Sequence, residues 1–409
     1  MSAPATPAPA PAPYPFNAMD GLDLAEAYGR AQRTGGLTRV RMPYGEPAWL
    51  ATRYADARAV LGDPRFSRAM ARTRDAPRTT PVEPLGIVSM DPPEHTRVRG
   101  LVARAFTARR AEGLRPRVRG TAEAALLRMR GRGAPADLVE DFALPVPITV
   151  ICELLGVPDA DRARFRGWSE AVLSTSGATP EEFGRATAAL KAYMTELIAL
   201  RGAGTSRGAG RAEPSDDLLT ALARARDDDG GRLGEDELAE LGIALLLGGY
   251  ETTASQLANF TYTLLTERPG ELARLREDPG AVASWTEELL RYVPLAASAS
   301  LPRYATEDLD IGGTRVRARE PVLVAIGAAN RDALRYPAPA ALDPARDSRA
   351  HLAFGHGIHR CVGAALARVE LQESLLALAR LLPGLRLDAA PEWKTAAFLR
   401  GPTTLPVRW

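Results

Sequence analysis

The run from Gly234 to Arg268 is the feature that most restricts how this chain can fold. It reads as one helix, ended by Pro269 and Gly270. At ~1.5 Å per residue it would be on the order of 50 Å long, enough to cross the whole molecule, so everything else must pack around it. Its middle holds a conflict. Gly248 and Gly249 each cost about 1 kcal/mol relative to alanine in a helix interior, and Glu251 sets a carboxylate beside the apolar run LGIALLLGGY. Two readings stay open from this segment: a functional site on the helix, or glycines that let neighbouring helices approach.

Helical spacing of apolar residues dominates elsewhere, as in RVRGLVARAFTARRAEGLRPRVRG and AALARVELQESLLALARLLPG. Strand signals cluster in LTRVRMPYGEPAWLATRY, which reads as a hairpin, and in YATEDLDIGGTRVRAREPVLVAIG, where two glycines divide short β-like runs. There is no internal repeat. The low-complexity segment Arg201 to Asp217 reads as a flexible surface connection. The expected architecture is mainly α with a small β portion. Residues 1–13, alternating Ala and Pro, form an extended solvated tail, and residues 14–409 form a single domain.

Composition removes several classes of function. The longest apolar stretch, Ile243 to Leu247, is too short to span a bilayer, and MSAPATPAPAPAPYP lacks the apolar region of a secretory signal. A net charge of +2 argues against nucleic acid as a partner. Two cysteines, Cys152 and Cys361, give no disulfide framework and make a cytoplasmic location the expectation. Only Lys191 and Lys394 are lysines, which a GC-rich coding bias accounts for.

Ligand-type side chains are rare but gathered. FGHGIHRCVG, residues 354–363, holds two of the four histidines and Cys361, and His351 precedes it by three residues. An inert buried cysteine in a glycine-rich turn is one reading. Zinc bound by His351, His356, His359 and Cys361 is another, although structural zinc sites bring ligands as two spaced pairs and no second pair exists. A thiolate on haem iron is the third, and it alone gives each glycine a task. Gly355, Gly357 and Gly363 permit the unusual backbone that turns N–H groups towards sulfur. A helix starting near Gly363 would lower the thiol pKa through its dipole, and His359 would pair with a haem propionate.

The pattern Phe354-x-x-Gly357-x-x-x-Cys361-x-Gly363 resembles the signature of the cytochrome P450 superfamily of haem-thiolate monooxygenases. Further marks follow in the family's order. Glu288-Leu-Leu-Arg291 resembles its Glu-x-x-Arg, Arg346 in LDPARD its third network member, and GGYETT its oxygen-binding segment. HTRVR places His95 and Arg99, and LPRYATED places Arg303, where the family binds propionates. The resemblance runs from about Tyr14 to Trp409.

It implies haem b, a long central helix over the haem, and a buried network of Glu288, Arg291 and Arg346. It implies proton delivery by Glu251 and Thr252, the hydroxyl holding a hydrogen bond to oxygen. Gly248, one turn before Thr252, leaves room on the same face. Electrons would come from a ferredoxin and its reductase. Eight arginines between Arg97 and Arg119, opposed by Glu112, are read either as the docking patch or as ordinary surface solvation. The family's pocket walls fall on the segment before Met90, the region Trp168 to Lys191, the central helix (Leu245, Gly248, Gly249), the stretch Leu295, Ala296, Ala297, and a C-terminal loop with Ala397. Their small side chains suggest a large hydrophobic substrate.

The strings MPYGEPAWLATRY, DPPEHTRVRGLVARAFTARRAE and AANRD look most like actinobacterial enzymes that hydroxylate or epoxidise macrolide antibiotics. Ring coupling or other C–O or C–C bond formation on a diketopiperazine or ansamycin is the alternative. The expected enzyme is monomeric. A peroxygenase would lack the Glu251 and Thr252 pair, and a haem sensor would need a signalling domain.

Overall fold

The computed structural model describes residues 10–79, 86–103, 106–173, 179–205, 218–220, 234–296, 298–299, 301–395 and 398–409. The helices that position the site are α1 (Tyr54–Gly62), α2 (Glu94–Ala103), α3 (Ala108–Arg132), α4 (Pro145–Leu155), α5 (Arg162–Leu173), α6 (Pro180–Thr205), α7 (Glu235–Glu267), α8 (Val282–Tyr292) and α9 (Ala364–Leu381). The run that reads as one helix is α7, 33 residues long, opened by the Gly234 N–H donating to Glu237 at 2.9 Å.

Two apolar clusters meet along α7. Its first half, Leu238 to Ala254, packs with α2, α4 and α6. Its second half, Leu257 to Leu264, packs with α3, α8 and α9. The close-packing reading of its glycines holds for Gly249 and not for Gly248. A Cβ on Gly249 would come within 2.8 Å of Ile151 on α4, and one on Gly242 within 2.7 Å of Met194 on α6, so these two permit close helix packing. A Cβ on Gly248 would meet nothing within 4 Å.

The β portion lies to one side. Strands β1 (Ala12–Pro13), β2 (Thr38–Arg41), β3 (Ala48–Ala51), β4 (Phe66–Ser67), β5 (Arg303–Ala305) and β6 (Pro321–Val324) form a six-stranded sheet in the order β1-β2-β3-β6-β5-β4. The expected hairpin is β2–β3, antiparallel with Val40 opposite Ala48. Gly312 and Gly313, both at positive φ, turn the chain between Leu309–Ile311 and Thr314–Val316. Near the C-terminus β7 (Glu392–Trp393) pairs with β8 (Pro402–Thr404), and the Trp393 ring packs edge-on to Tyr262 of α7 at 5.1 Å.

Two expectations need correction. The tail does not stay free to residue 13: Ala12 and Pro13 run parallel to Val40 and Arg41. Tyr14 is the reason, buried at 3% exposure against Phe16 and Tyr28, with its hydroxyl accepting from the Ala299 N–H at 2.6 Å. The surface connection starts later than Arg201, because α6 continues to Thr205, and the expectation for 206–217 lies outside the described residues.

Candidate functional site

Cys361 sits between a short turn, Gly357–His359, and the start of α9. Its N–H donates to the Phe354 carbonyl at 2.8 Å, which closes the loop. Phe354 itself lies under the Arg368 guanidinium at 4.6 Å. Gly355 and Gly357 adopt φ of 71° and 72°, as an L side chain rarely does, and a Cβ on Gly357 would sit 2.3 Å from the Leu61 carbonyl. Gly363 differs from expectation. Its φ is −80°, and a Cβ there would meet only the Cys361 sulfur at an ordinary 3.9 Å, so what Gly363 contributes is its N–H, which bonds to that sulfur.

The expected lowering of the thiol pKa also fails in the protein by itself. Burial pushes the Cys361 thiol up and outweighs the Gly363 N–H and the positive charges of Arg99, Arg360 and Arg368. Yet Cys361 keeps accessible surface. A thiol dominated by desolvation but still accessible faces an enclosed part of the molecule and not bulk water. His351 does not join it, since its Nε2 lies 3.3 Å from Glu287. Among the described residues no group of three His, Cys, Asp or Glu side chains could hold a metal ion, which removes the zinc reading.

A buried basic cluster lies beside this loop. The rings of His95 on α2 and His359 are 4.3 Å apart, and the Nε2 atom of each is buried with no hydrogen-bond partner among the described residues. Burial, His95, Arg303 and Arg68 together push His359 down to about 3. Burial and the repulsion of Arg68 lower Arg303 to about 9, with Asp91 as the opposing charge. Arg68, 1% exposed, donates to the Val88 carbonyl at 2.9 Å. Sequence reading missed Arg68, because nothing in RFSRAM marks it. Arg99 spends a donor on the Arg360 carbonyl, at the Cys loop and not between the histidines. The unpartnered nitrogens of His95 and His359, with Arg303 and Arg68 beside them, are the donor set that the two carboxylates of a haem would need if its iron sat at Cys361.

The face of α7 that carries Gly248 also carries Thr252, whose hydroxyl donates to the Gly248 carbonyl at 2.5 Å. Ala244 lies one turn earlier on the same line and is half-buried. Leu245, expected in the pocket wall, packs in the core at 8% exposure, and Gly249 faces Ile151. Glu251 is turned to another partner. Its Oε1 lies 2.6 Å from Lys394 Nζ, which also donates to Ser255 at 3.2 Å.

Leu295 and Ala296 are half-buried, with Ala296 bridging antiparallel to Leu399. The expectations for Ala297 and Ala397 lie outside the described residues, as do 80–85 before Met90 and 174–178 within the Trp168 to Lys191 wall. A groove of about 790 Å³ beside Tyr54, Arg58, Gly62 and His356 opens on the outside of α1. It shares no residue with the basic cluster or the α7 face, so we assign the site to the latter.

Below the loop, Glu288 and Arg291 are wholly buried and joined by two hydrogen bonds, at 2.7 and 2.8 Å. Arg291 donates further to the carbonyls of Asn330, Pro339 and Ala341. Glu288 also accepts from Ser348 and from the Asp343 N–H, and Arg346 lies 3.5 Å away. Burial pushes the Glu288 carboxyl up, but these partners outweigh it and the net direction is down.

Comparison with known proteins agrees with this geometry. The Cytochrome P450 family model matches residues 282–402. Mycinamicin IV hydroxylase/epoxidase of Micromonospora griseorubida is 51% identical over 398 residues, covering 96% of this chain and 98% of that one. Nocardicin C N-oxygenase of Nocardia uniformis subsp. tsuyamanensis is 48% identical over 394 residues, covering 95% and 96%. The crystal structure of cytochrome P450mel 107F1, with biaryl coupling reactivity, superposes with a TM-score of 0.90 at 39% identity, covering 97% and 99%.

Proposed function

The chain belongs to the cytochrome P450 family, and on that footing we propose that it hydroxylates or epoxidises a large macrolide-type natural product in antibiotic biosynthesis. The observation that carries the reading is exposed Cys361 two residues from His359, where the buried Nε2 atoms of His95 and His359 have no hydrogen-bond partner among the described residues and Arg303 lies close by. Likeness to the mycinamicin IV enzyme over nearly the whole length supports the substrate class. Ring coupling is the second reading, favoured by the likeness to the biaryl-coupling enzyme.

Cys361 would hold the iron, and His95, His359, Arg303 and Arg68 would hold the propionates. Haem b, bound without thioether links, suits the chain, because the other cysteine is shut in the core with its thiol pushed up to about 12 by burial. Bound through the Cys361 thiolate, a haem would supply the activation of dioxygen, with two electrons and two protons, so that one oxygen atom enters the substrate and the other leaves as water. The protein's own task is protons and position. With its proton given to Gly248, Thr252 Oγ1 offers acceptor lone pairs to the distal side, and Glu251 is the carboxylate that resupplies protons there.

Two electrons per turnover come from a ferredoxin and its reductase, docking on the Cys361 side. The patch is smaller than eight arginines: Arg97, Arg115, Arg117 and Arg119 are engaged with Glu237, Glu112, Glu153 and Glu373. Exposed Arg109 and Arg360 remain for steering. Among the described residues no helix is long and apolar enough to cross a membrane.

Spectral titration of the holoenzyme with mycinamicin IV, a diketopiperazine and an ansamycin tests the substrate class. A high-spin shift with the macrolide is expected; a shift with only another class would move the reading there. Cys361→Ala should abolish the red-shifted Soret band of the reduced carbon monoxide complex, and Cys152→Ala should keep it. Thr252→Ala should divert NAD(P)H electrons into hydrogen peroxide, and unchanged coupling would remove Thr252 from proton delivery.

A further inference from the structure

Glu251 is 8% exposed on α7, and its cation comes from far along the chain: Lys394, directly after β7. That lysine does not hang on a free loop. Its N–H donates to the Gly401 carbonyl at 3.0 Å, and Asn259 of α7 donates to the Arg400 carbonyl at 3.0 Å. Gly401 permits this approach, since a Cβ there would come within 3.0 Å of Asn259 Oδ1. On its other side the same strand is bonded to the expected pocket wall. The Arg400 N–H donates to the Leu295 carbonyl at 2.8 Å, and Leu399 bridges Ala296. One hairpin therefore carries both a hydrogen-bonded edge of the pocket wall and the cation that fixes Glu251.

The residue type matters in a chain with only two lysines among 52 basic residues. An ammonium is a compact point charge with three rotatable donors, so it reaches Glu251 and Ser255 together. A planar guanidinium on a longer stem would bind the carboxylate alone, side by side. Glu251 and Thr252 are adjacent in sequence and so project about 100° apart round the helix. A carboxylate held on Lys394 is turned away from the Thr252 hydroxyl.

We propose that Lys394 is a positioning residue for proton delivery: it holds Glu251 against the C-terminal hairpin, and a ligand pressing on Leu295 and Ala296 shifts that hairpin and releases Glu251 towards Thr252. Pocket occupancy and proton supply are thereby linked through one ion pair. The proposal rests on the reading of Glu251 as the proton-supplying carboxylate.

Because the chain holds two lysines, isotope-labelled lysine gives two side-chain ammonium signals in the holoenzyme, and Lys191→Arg assigns them. Two azoles that both bind haem iron serve as probes, so the test does not depend on the natural substrate. Clotrimazole is bulky enough to reach the pocket wall, and imidazole is not. At saturation, judged by the iron spectrum, clotrimazole should move the Lys394 signal towards that of exposed Lys191, and imidazole should leave it in place. Glu251→Gln should place the Lys394 signal at the released position with no ligand added. A Lys394 signal that clotrimazole does not move, or that Glu251→Gln does not move, overturns the proposal. Turnover separates it from the reading beneath it. If Glu251→Gln leaves coupling and the solvent isotope effect unchanged, Glu251 is not the proton donor and both fail. If Glu251→Gln raises the isotope effect while clotrimazole leaves Lys394 still, only the link fails. Lys394→Met should make the isotope effect the same for large and small substrates, and Lys394→Arg should restore part of the difference; equal behaviour of the wild type and Lys394→Met also counts against the link.

Discussion

Glu288 and Arg291 are buried as deeply as His95, but the two groups differ in what meets their polar atoms. Each nitrogen of Arg291 meets a carboxylate oxygen or a carbonyl, and both oxygens of Glu288 are filled. Around His95 and His359, by contrast, buried ring nitrogens have no acceptor, and Arg303 and Arg68 repel one another. A fold tolerates the first arrangement by itself, because desolvation is repaid inside the protein. The second leaves ring nitrogens that an arriving acceptor would satisfy. Buried charge by itself therefore says little about function; unpartnered buried donors say where a ligand belongs.

The largest expected effect strikes the complete cluster. Arg291→Ala strands the Glu288 carboxylate and should cost ~3–5 kcal/mol, leaving little soluble protein with or without haem. Yield and thermal melting check this. Normal expression with full haem content would break the comparison, since the network would then not be a structural one.

Glu287, next in sequence, extends the complete side. Burial raises its carboxyl, but His351 and Arg368 outweigh it and hold the group at about 2, against an ordinary 4.5. The folded value is the lower one, so the stabilisation is full above pH 4.5 and is lost as pH falls through that window towards 2. A shift of this size is worth on the order of 3 kcal/mol at neutral pH. Urea unfolding of Glu287→Gln should show about that loss at pH 7 and a flatter acid dependence than the parent. Parallel curves for the two proteins would mean the ion pair contributes nothing.

Arg303→Gln sharpens the other half. Removing a cation that burial and Arg68 already disfavour should leave the haem-free protein as stable as the parent, while haem is lost faster to an acceptor such as apomyoglobin. A propionate contact of ~1.5–3 kcal/mol corresponds to roughly tenfold to a hundredfold faster transfer. If haem-free stability fell and haem transfer did not change, Arg303 would belong with the complete cluster.

These differences explain how far the sequence could be read. Cys361, Glu288 and Arg291 were legible because their spacing is local: a loop of ten residues and one helical turn carry the information. The long helix was legible for the same reason. Arg68 was not, since its role depends on Pro302 and Arg303 arriving from a distant strand. Lys394 was missed in the same way, as it meets Glu251 across 143 residues of chain. Gly249 meets Ile151, and Leu245 is taken up by the core. Local pattern fixes which residues lie on α7, but only packing against Ile151 and Met194 decides which face is left for the site.

The smallest effect concerns a region that belongs to neither cluster. Ala296 bridges Leu399 and is half-buried, so its methyl group either borders the pocket or only fills the strand contact. Ala296→Phe adds a ring at that point. If the wall is the substrate's, overpacking of ~1–3 kcal/mol should weaken a macrolide-sized ligand by roughly fivefold to 150-fold. Imidazole, which needs only the space next to iron, should bind the variant as it binds the parent, and that contrast is the measurement. Equal weakening of both ligands would mean that the ring has distorted the hairpin as a whole, placing Ala296 with the complete, structural side of the molecule. No weakening of either would mean that the wall lies elsewhere on α7, along Ala244 and Gly248, and that the size of the residue at 296 carries no information about the size of the substrate.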